Sequence, residues 1–350
     1  MVLVNTYLSL DLKSRISKFR QPLMGFAIIW VFMLHSGKTG NMYYDAIRFY
    51  GWAGVDFFFF LSAIGLCYSL SRDNNILNFY KKRIIRILPT WLLVLIMVHL
   101  AGLVCNYFFP KLPFYVPNTV LKSLTWYTGL GFWISDFVVG DGWYYEWYVP
   151  SLLMFYAFTP FLFKKNNSSL MIMILLFILL GVIFALEPLY QYIFKTHFFY
   201  QRIPIFLLGI LYFNIIKKGD KTFNMSLILC VIIGVILIFL RNINIVKIPI
   251  TYDVLFLSPP CLILLSYLIS NNCVRTILTF YGTISLELYL IHLYKRPNYL
   301  VSMFICNNYL IIFVSLILCT IVAYVLNRYI AIKISNSLKK IVFQNNHSPI

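Results

Sequence analysis

Five ionisable residues stand inside otherwise apolar stretches of the chain: His35, Asp56, His99, Glu287 and His292. At membrane depth each would cost several kcal/mol, which makes each a functional candidate. His35 closes the run MGFAIIWVFMLHSG, residues 24–37. A histidine titrates near neutrality, so it can take a proton from a reacting hydroxyl and return it within one turnover. The same position also suits an interfacial histidine that only ends a helix. Asp56, in GWAGVDFFFFLSAIGL, lies at a similar depth on the next apolar run. From there a carboxylate can orient the imidazole through its second ring nitrogen. An aspartate at a helix start equally serves to satisfy free backbone N–H groups.

Arg83 and Arg86, in FYKKRIIRILPTW, are three residues apart and share one helix face. Two guanidiniums so placed can grip a phosphate, each with paired hydrogen bonds, and Lys81 and Lys82 add charge beside them. A basic flank against anionic lipid explains the same run. Glu287 and His292, in GTISLELYLIHLYKRP, are five residues apart. That is about 140° around a helix, so they do not share a face. His292 falls near the same membrane side as His35 and can approach it. His99, mid-run in LIMVHLAGL, fits a packed or hydrogen-bonded core histidine.

The elements that must hold these groups are set by the composition. The chain has 350 residues, 61% hydrophobic and 11% charged, with a mean hydropathy of +0.81. Soluble domains carry roughly a quarter charged residues. An all-α polytopic membrane protein is therefore expected, forming one domain over residues 1–350. Ten stretches approach the roughly 20 apolar residues that a crossing needs: 20–37, 52–70, 87–109, 143–163, 168–186, 202–216, 222–240, 249–270, 277–294 and 308–330. The net charge of +18 is then a matter of topology, not of nucleic-acid binding. With both termini cytoplasmic, the inner segments hold 19 of the 29 lysines and arginines, as the positive-inside rule requires. No cleavable leader is evident at the N-terminus. The seven cysteines show no CxxC pair and no metal-ligand spacing with histidine, so no metal and no permanently bound cofactor are expected.

The longest outer segment, roughly 110–142, and the stretch after it are crowded with aromatics, among them Trp126, Trp133, Trp143, Trp147 and Tyr148. An aromatic belt at headgroup level accounts for these. A stacking platform for sugar rings is the sharper alternative, with Asp136, Asp141 and Glu146 as polar contacts.

Taken in order, MGFAIIWVFMLH, GVDFFFFLSAIGL, FYKKRIIRILPTW and TISLELYLIH resemble the motifs of the acyltransferase family 3 membrane proteins, over residues 15–330 or so. The family's first motif is an arginine or lysine, ten intervening residues and a catalytic histidine. His35 matches the histidine, whereas Met24 occupies the basic position. Arg20 lies one helical turn below Met24 on the same face and is expected to replace that charge. The family's arginine pair matches Arg83 and Arg86, and its Ser-Gly step becomes Ser62-Ala63. No soluble extracytoplasmic domain of the kind some members carry is present within the sequence.

The resemblance implies a cell-membrane enzyme that moves an acyl group, most simply acetyl, from cytoplasmic acetyl-CoA to a hydroxyl of a glycan outside or on a lipid carrier. Arg83, Arg86 and Arg20 would hold the donor, His35 with Asp56 would do the proton chemistry, and Tyr289 or Trp147 would supply an oxyanion donor. Membrane lipid, acyl-CoA and the glycan acceptor are the expected partners. A transporter or flippase of lipid-linked sugars is the rival reading. Against it, the halves show no internal repeat and no matching pair of Gly/Pro-broken spans.

Overall fold

The computed structural model describes residues 11–108, 116–138, 147–165, 169–186, 197–243, 250–293, 301–302 and 304–344. Every regular element among them is helical. The first part of the chain forms α1 (Leu12–Lys18), α2 (Arg20–His35), α3 (Met42–Phe49), α4 (Ala53–Arg72) and α5 (Ile76–Phe108). Next come α6 (Val120–Thr128), α7 (Leu130–Val138), α8 (Tyr148–Lys165) and α9 (Ser169–Leu186). The remainder consists of α10 (Ile203–Lys218), α11 (Asp220–Asn242), α12 (Ile250–Leu268), α13 (Asn272–Thr283), α14 (Ser285–His292), α15 (Asn308–Val325) and α16 (Ile332–Gln344). A π-helical stretch, Leu326–Ala331, joins the last two.

The described residues of each of the ten apolar stretches lie mainly on helix. By length and composition, however, five helical segments suffice to cross a membrane, or six if the bent pair α13–α14 counts as one. At 16 residues, α2 is about 24 Å long, short of a hydrocarbon core of roughly 30 Å. The molecule is a membrane protein with its apolar surface turned outward. Only 22% of the apolar windows of α11 and of Asn308–Val342 is buried, against 83% for Met42–Arg72. Thus α4 is the central helix, while α11 and α15 present rows such as Ile228, Ile232, Val235 and Phe239 to lipid.

The packing of α2 against α13 sets the site. A Cβ on Gly25 would lie 1.8 Å from the Leu278 carbonyl oxygen, and one on Gly282 would lie 2.1 Å from that of Gln21. The two backbones are therefore in reciprocal contact, the close approach that small residues allow between membrane helices. Just beyond this contact the chain turns by 66° between α13 and α14. Asn327, in the π-helical stretch, bridges the break: its Nδ2 donates to the Thr283 carbonyl at 3.5 Å and to Glu287 Oε1 at 3.0 Å. π-stretches of this sort recur beside functional sites.

A second anchor comes from Arg15 in α1, which is fully buried. Its Nε donates to Ser266 Oγ at 2.8 Å and its Nη2 to Ser270 Oγ at 2.8 Å. Its guanidinium lies 3.7 Å from the Tyr267 ring centroid. The segment entering α2 is thereby pinned to α12.

Substitution of Gly25 by alanine is expected to destabilise the detergent-purified protein by about 1–3 kcal/mol, the usual penalty of overpacking, seen as a lower thermal midpoint. Gly181→Ala, where an added Cβ meets nothing within 4 Å, should be neutral or slightly stabilising. Equal midpoints for the two variants would disprove the backbone contact.

Candidate active site

His35 ends α2 and His292 ends α14, so the α2–α13 contact and the bend after it bring two histidines 257 positions apart into register. Nδ1 of His35 lies 2.9 Å from Nε2 of His292, with ring centroids 5.0 Å apart. Nδ1 of His292 lies 2.8 Å from the carbonyl oxygen of Leu288. These contacts fix the tautomers of the neutral pair. A carbonyl oxygen can only accept, so His292 is protonated on Nδ1 and accepts through Nε2. His35 must then donate from Nδ1, which leaves its lone pair on Nε2. The arrangement is a base whose far nitrogen is held by a neutral acceptor, itself held by the backbone.

Asp56 is not that acceptor. The nitrogen it was expected to engage faces His292, while its Oδ1 lies 2.9 Å from Arg202 Nε. Both residues are buried, Asp56 at 2% and Arg202 at 4% exposure. A buried carboxylate is stabilised by a full positive charge in contact far better than by an imidazole. The Arg202 guanidinium also sits 5.6 Å from the Trp52 ring and 6.0 Å from that of Trp147. Arg202 is the functional-region residue that the sequence reading missed. It is the first residue of the apolar run 202–216, and no motif in the sequence singles it out.

Below the histidines lies a cavity of about 100 Å³ lined by Arg20, Met24, Arg83, Arg86, Tyr148 and Tyr289, among others. Arg20 and the pair Arg83/Arg86 thus converge, although they come from α2 and α5. Met24 shares the cavity with Arg20, so a charge one turn away does reach the space beside Met24. Arg20 Nε donates to the Leu61 carbonyl at 3.2 Å, and Arg83 packs over the Phe79 ring at 5.3 Å. Among the described residues no carboxylate pairs with any of the three. Glu287 is within electrostatic reach of Arg86, yet its Oε1 is taken by Asn327 at 3.0 Å. Three cations without a paired anion make a site for a multiply charged anion.

Tyr289 joins the two regions. It lines the cavity, and its ring centroid is 5.6 Å from that of His292 and 4.5 Å from that of Tyr148. Trp147 lies one step further out, stacked on Phe198 at 5.5 Å. Residues 139–146, which include Asp141, Trp143 and Glu146, lie outside the described residues. Trp126, which an interfacial belt would leave facing headgroups, is instead buried at 4% exposure. His99 is hydrogen-bonded to the Tyr127 hydroxyl at 2.8 Å, away from the arginine cavity.

The pattern of the family described as "Acyltransferase domain", acyltransferase family 3, matches residues 23–328. The chain belongs to this family. Membership makes it an acyltransferase, and the match takes in His35, Arg83, Arg86, Arg202 and His292, while Arg20 lies three residues before it. No curated protein and no solved structure matches the chain.

For the buried pair, Asp56→Asn or Arg202→Gln alone should cost about 3–5 kcal/mol, because each leaves one charge uncompensated. The double substitution should recover a large part of that loss, read as thermal midpoints in detergent. Simple additivity of the two losses would contradict the pairing.

Proposed function

We propose that this acyltransferase moves an acyl group, in the simplest case acetyl, from cytoplasmic acyl-CoA to a hydroxyl of a glycan outside the membrane or on a lipid carrier, with His35 as general base. The observation that carries the reading is the cavity of three arginines without a paired carboxylate, closed at one end by the tyrosine that also touches the histidine pair. In it Arg83, Arg86 and Arg20 hold the donor's diphosphate. The acyl-bearing arm then runs along α2, whose 15 residues from Arg20 to His35 amount to about 22 Å. The cytoplasmic side is taken as the Arg20 end, following the excess of lysine and arginine there, and the plasma membrane as the location.

The acceptor hydroxyl gives its proton to His35 Nε2 as its oxygen attacks the thioester carbonyl. The positive charge that forms on His35 is stabilised by the Nδ1–H bond to His292, which no longer needs to be made or turned. Tyr289, with Trp147 as the alternative, donates to the oxyanion of the tetrahedral intermediate. Collapse breaks the C–S bond, and the leaving thiolate takes the proton back from His35. The products are the acylated glycan and free CoA. Transfer through an acyl-histidine would use the same groups in two steps.

The direct test is thiol release from acetyl-CoA by purified protein supplied with sugar acceptors. His35→Ala should lower that rate by at least about 10²-fold, the usual worth of a general base. His292→Ala should lower kcat by a smaller factor, with KM for both substrates little changed. Near-normal turnover in the first variant would remove His35 from the mechanism. Movement of lipid-linked sugar across liposomes without thiol release would favour a flippase.

The double change Arg83→Ala/Arg86→Ala is expected to raise KM for acyl-CoA by about tenfold or more, since charge-assisted phosphate contacts are lost. Steady-state kinetics at saturating acceptor measure this. An unchanged KM with a lowered kcat would place the two arginines outside donor binding.

A further inference from the structure

The arginine cavity is the innermost of three spaces in series. It shares Arg20 and Gly65 with a second cavity of about 380 Å³, which in turn shares Ser17 and Tyr68 with a third of about 610 Å³. One stripe of α4 forms the common wall: Arg72, Ser69, Tyr68, Gly65, Ser62 and Phe58, spaced at the three and four residues that keep one helix face. The opposite wall is Ser17, Arg20 and Met24, again one turn apart. The route therefore runs along α2 and α4 from the Lys18 end to Tyr289.

The spaces differ in size and in what they can hold. About 100 Å³ admits a slim chain, whereas about 380 Å³ falls within the roughly 300–1,000 Å³ of pockets that enclose small molecules. The junction between them is narrow. A Cβ on Gly65 would come within 3.1–3.2 Å of the Arg20 guanidinium, so Arg20 lies directly over the bare backbone at Gly65. In the larger space Lys82 is already paired to Asp73 at 2.9 Å, while Arg72 has no carboxylate in contact among the described residues. Arg72 stands seven residues from Gly65, or about 10 Å along the helix. A ligand that reaches from the three arginines into this space meets a second, separate cation beside a tyrosine ring.

We propose that this vestibule seats the nucleoside end of the donor, with Arg72 holding its 3′-phosphate and Tyr68 beside its base, while the acyl-bearing arm lies beyond the Arg20–Gly65 throat. The proposal rests on the acyl-CoA reading above and adds a residue that selects the donor. It divides the donor's anionic groups between two places: the diphosphate at Arg20, Arg83 and Arg86, and the 3′-phosphate at Arg72. An anionic lipid headgroup offers the same phosphate chemistry to Arg72, so the test is made in detergent without added lipid.

Binding of CoA and of 3′-dephospho-CoA to the full-length purified chain would be measured by calorimetry. The wild type should bind CoA about tenfold more tightly than the dephospho form. Arg72→Ala should bind both forms alike, at the weaker affinity, and Arg72→Lys should keep part of the preference. Gly65→Ala, whose new methyl group meets Arg20, should weaken both forms by the same factor. A preference that survives intact in Arg72→Ala, or none in the wild type, overturns the assignment while leaving the donor reading in place. Binding of neither form by the wild type overturns the donor reading and this inference with it.

Discussion

The reciprocal backbone contact of Gly25 and Gly282 is the constraint on which the rest of the site depends. Between membrane helices no hydrophobic force distinguishes protein from lipid, so association relies on how closely two surfaces can fit. A missing Cβ on each side lets α2 and α13 touch at Leu278 and Gln21. That contact ties the start of the chain to its last quarter. It sets the height of α2, and with it the position of Arg20 at one end and of His35 at the other.

Two kinds of buried charge coexist in this frame, and they behave differently. Asp56 and Arg202 form a buried ion pair at 2.9 Å. The arginines of α2 and α5 have no such partner among the described residues, and mutual repulsion makes their convergence costly until an anion arrives. A protein that keeps such a cluster in a cavity gains stability when the anion binds, by linkage. The paired charges hold the scaffold, and the unpaired ones are those that the proposed function assigns to the donor's phosphates.

Much of this was legible in the sequence because period and composition carry it. The helices around His35, Arg83 and Arg86 follow from apolar runs bounded by charge, and the one-turn offset of Arg20 from Met24 placed both beside the same cavity. Other features were hidden because they depend on long-range pairing. Asp56 and His35 looked like neighbours on consecutive helices, yet Asp56 pairs with Arg202, more than a hundred residues away. The approach of His292 to His35 was expected from their shared membrane side, but not that it would take the nitrogen meant for Asp56. Glu287 and His292 lie together in α14, as the phase of one helix assumed, but the 66° bend before it, which no residue pattern announced, sets where that helix points. Gly25 and Gly282 carried no signal, since a glycine in an apolar run does not announce which backbone it will touch.

The histidine relay ends on the carbonyl of Leu288, one turn before His292 in α14. This acceptor belongs to the peptide backbone, so no substitution of the leucine side chain removes it. In a serine-protease triad the corresponding acceptor is a side chain that a single codon change can delete. Here the tautomer of His35 is inherited from helix geometry itself, and the heritable weak points of the hydrogen-bonded chain shrink to the two imidazoles.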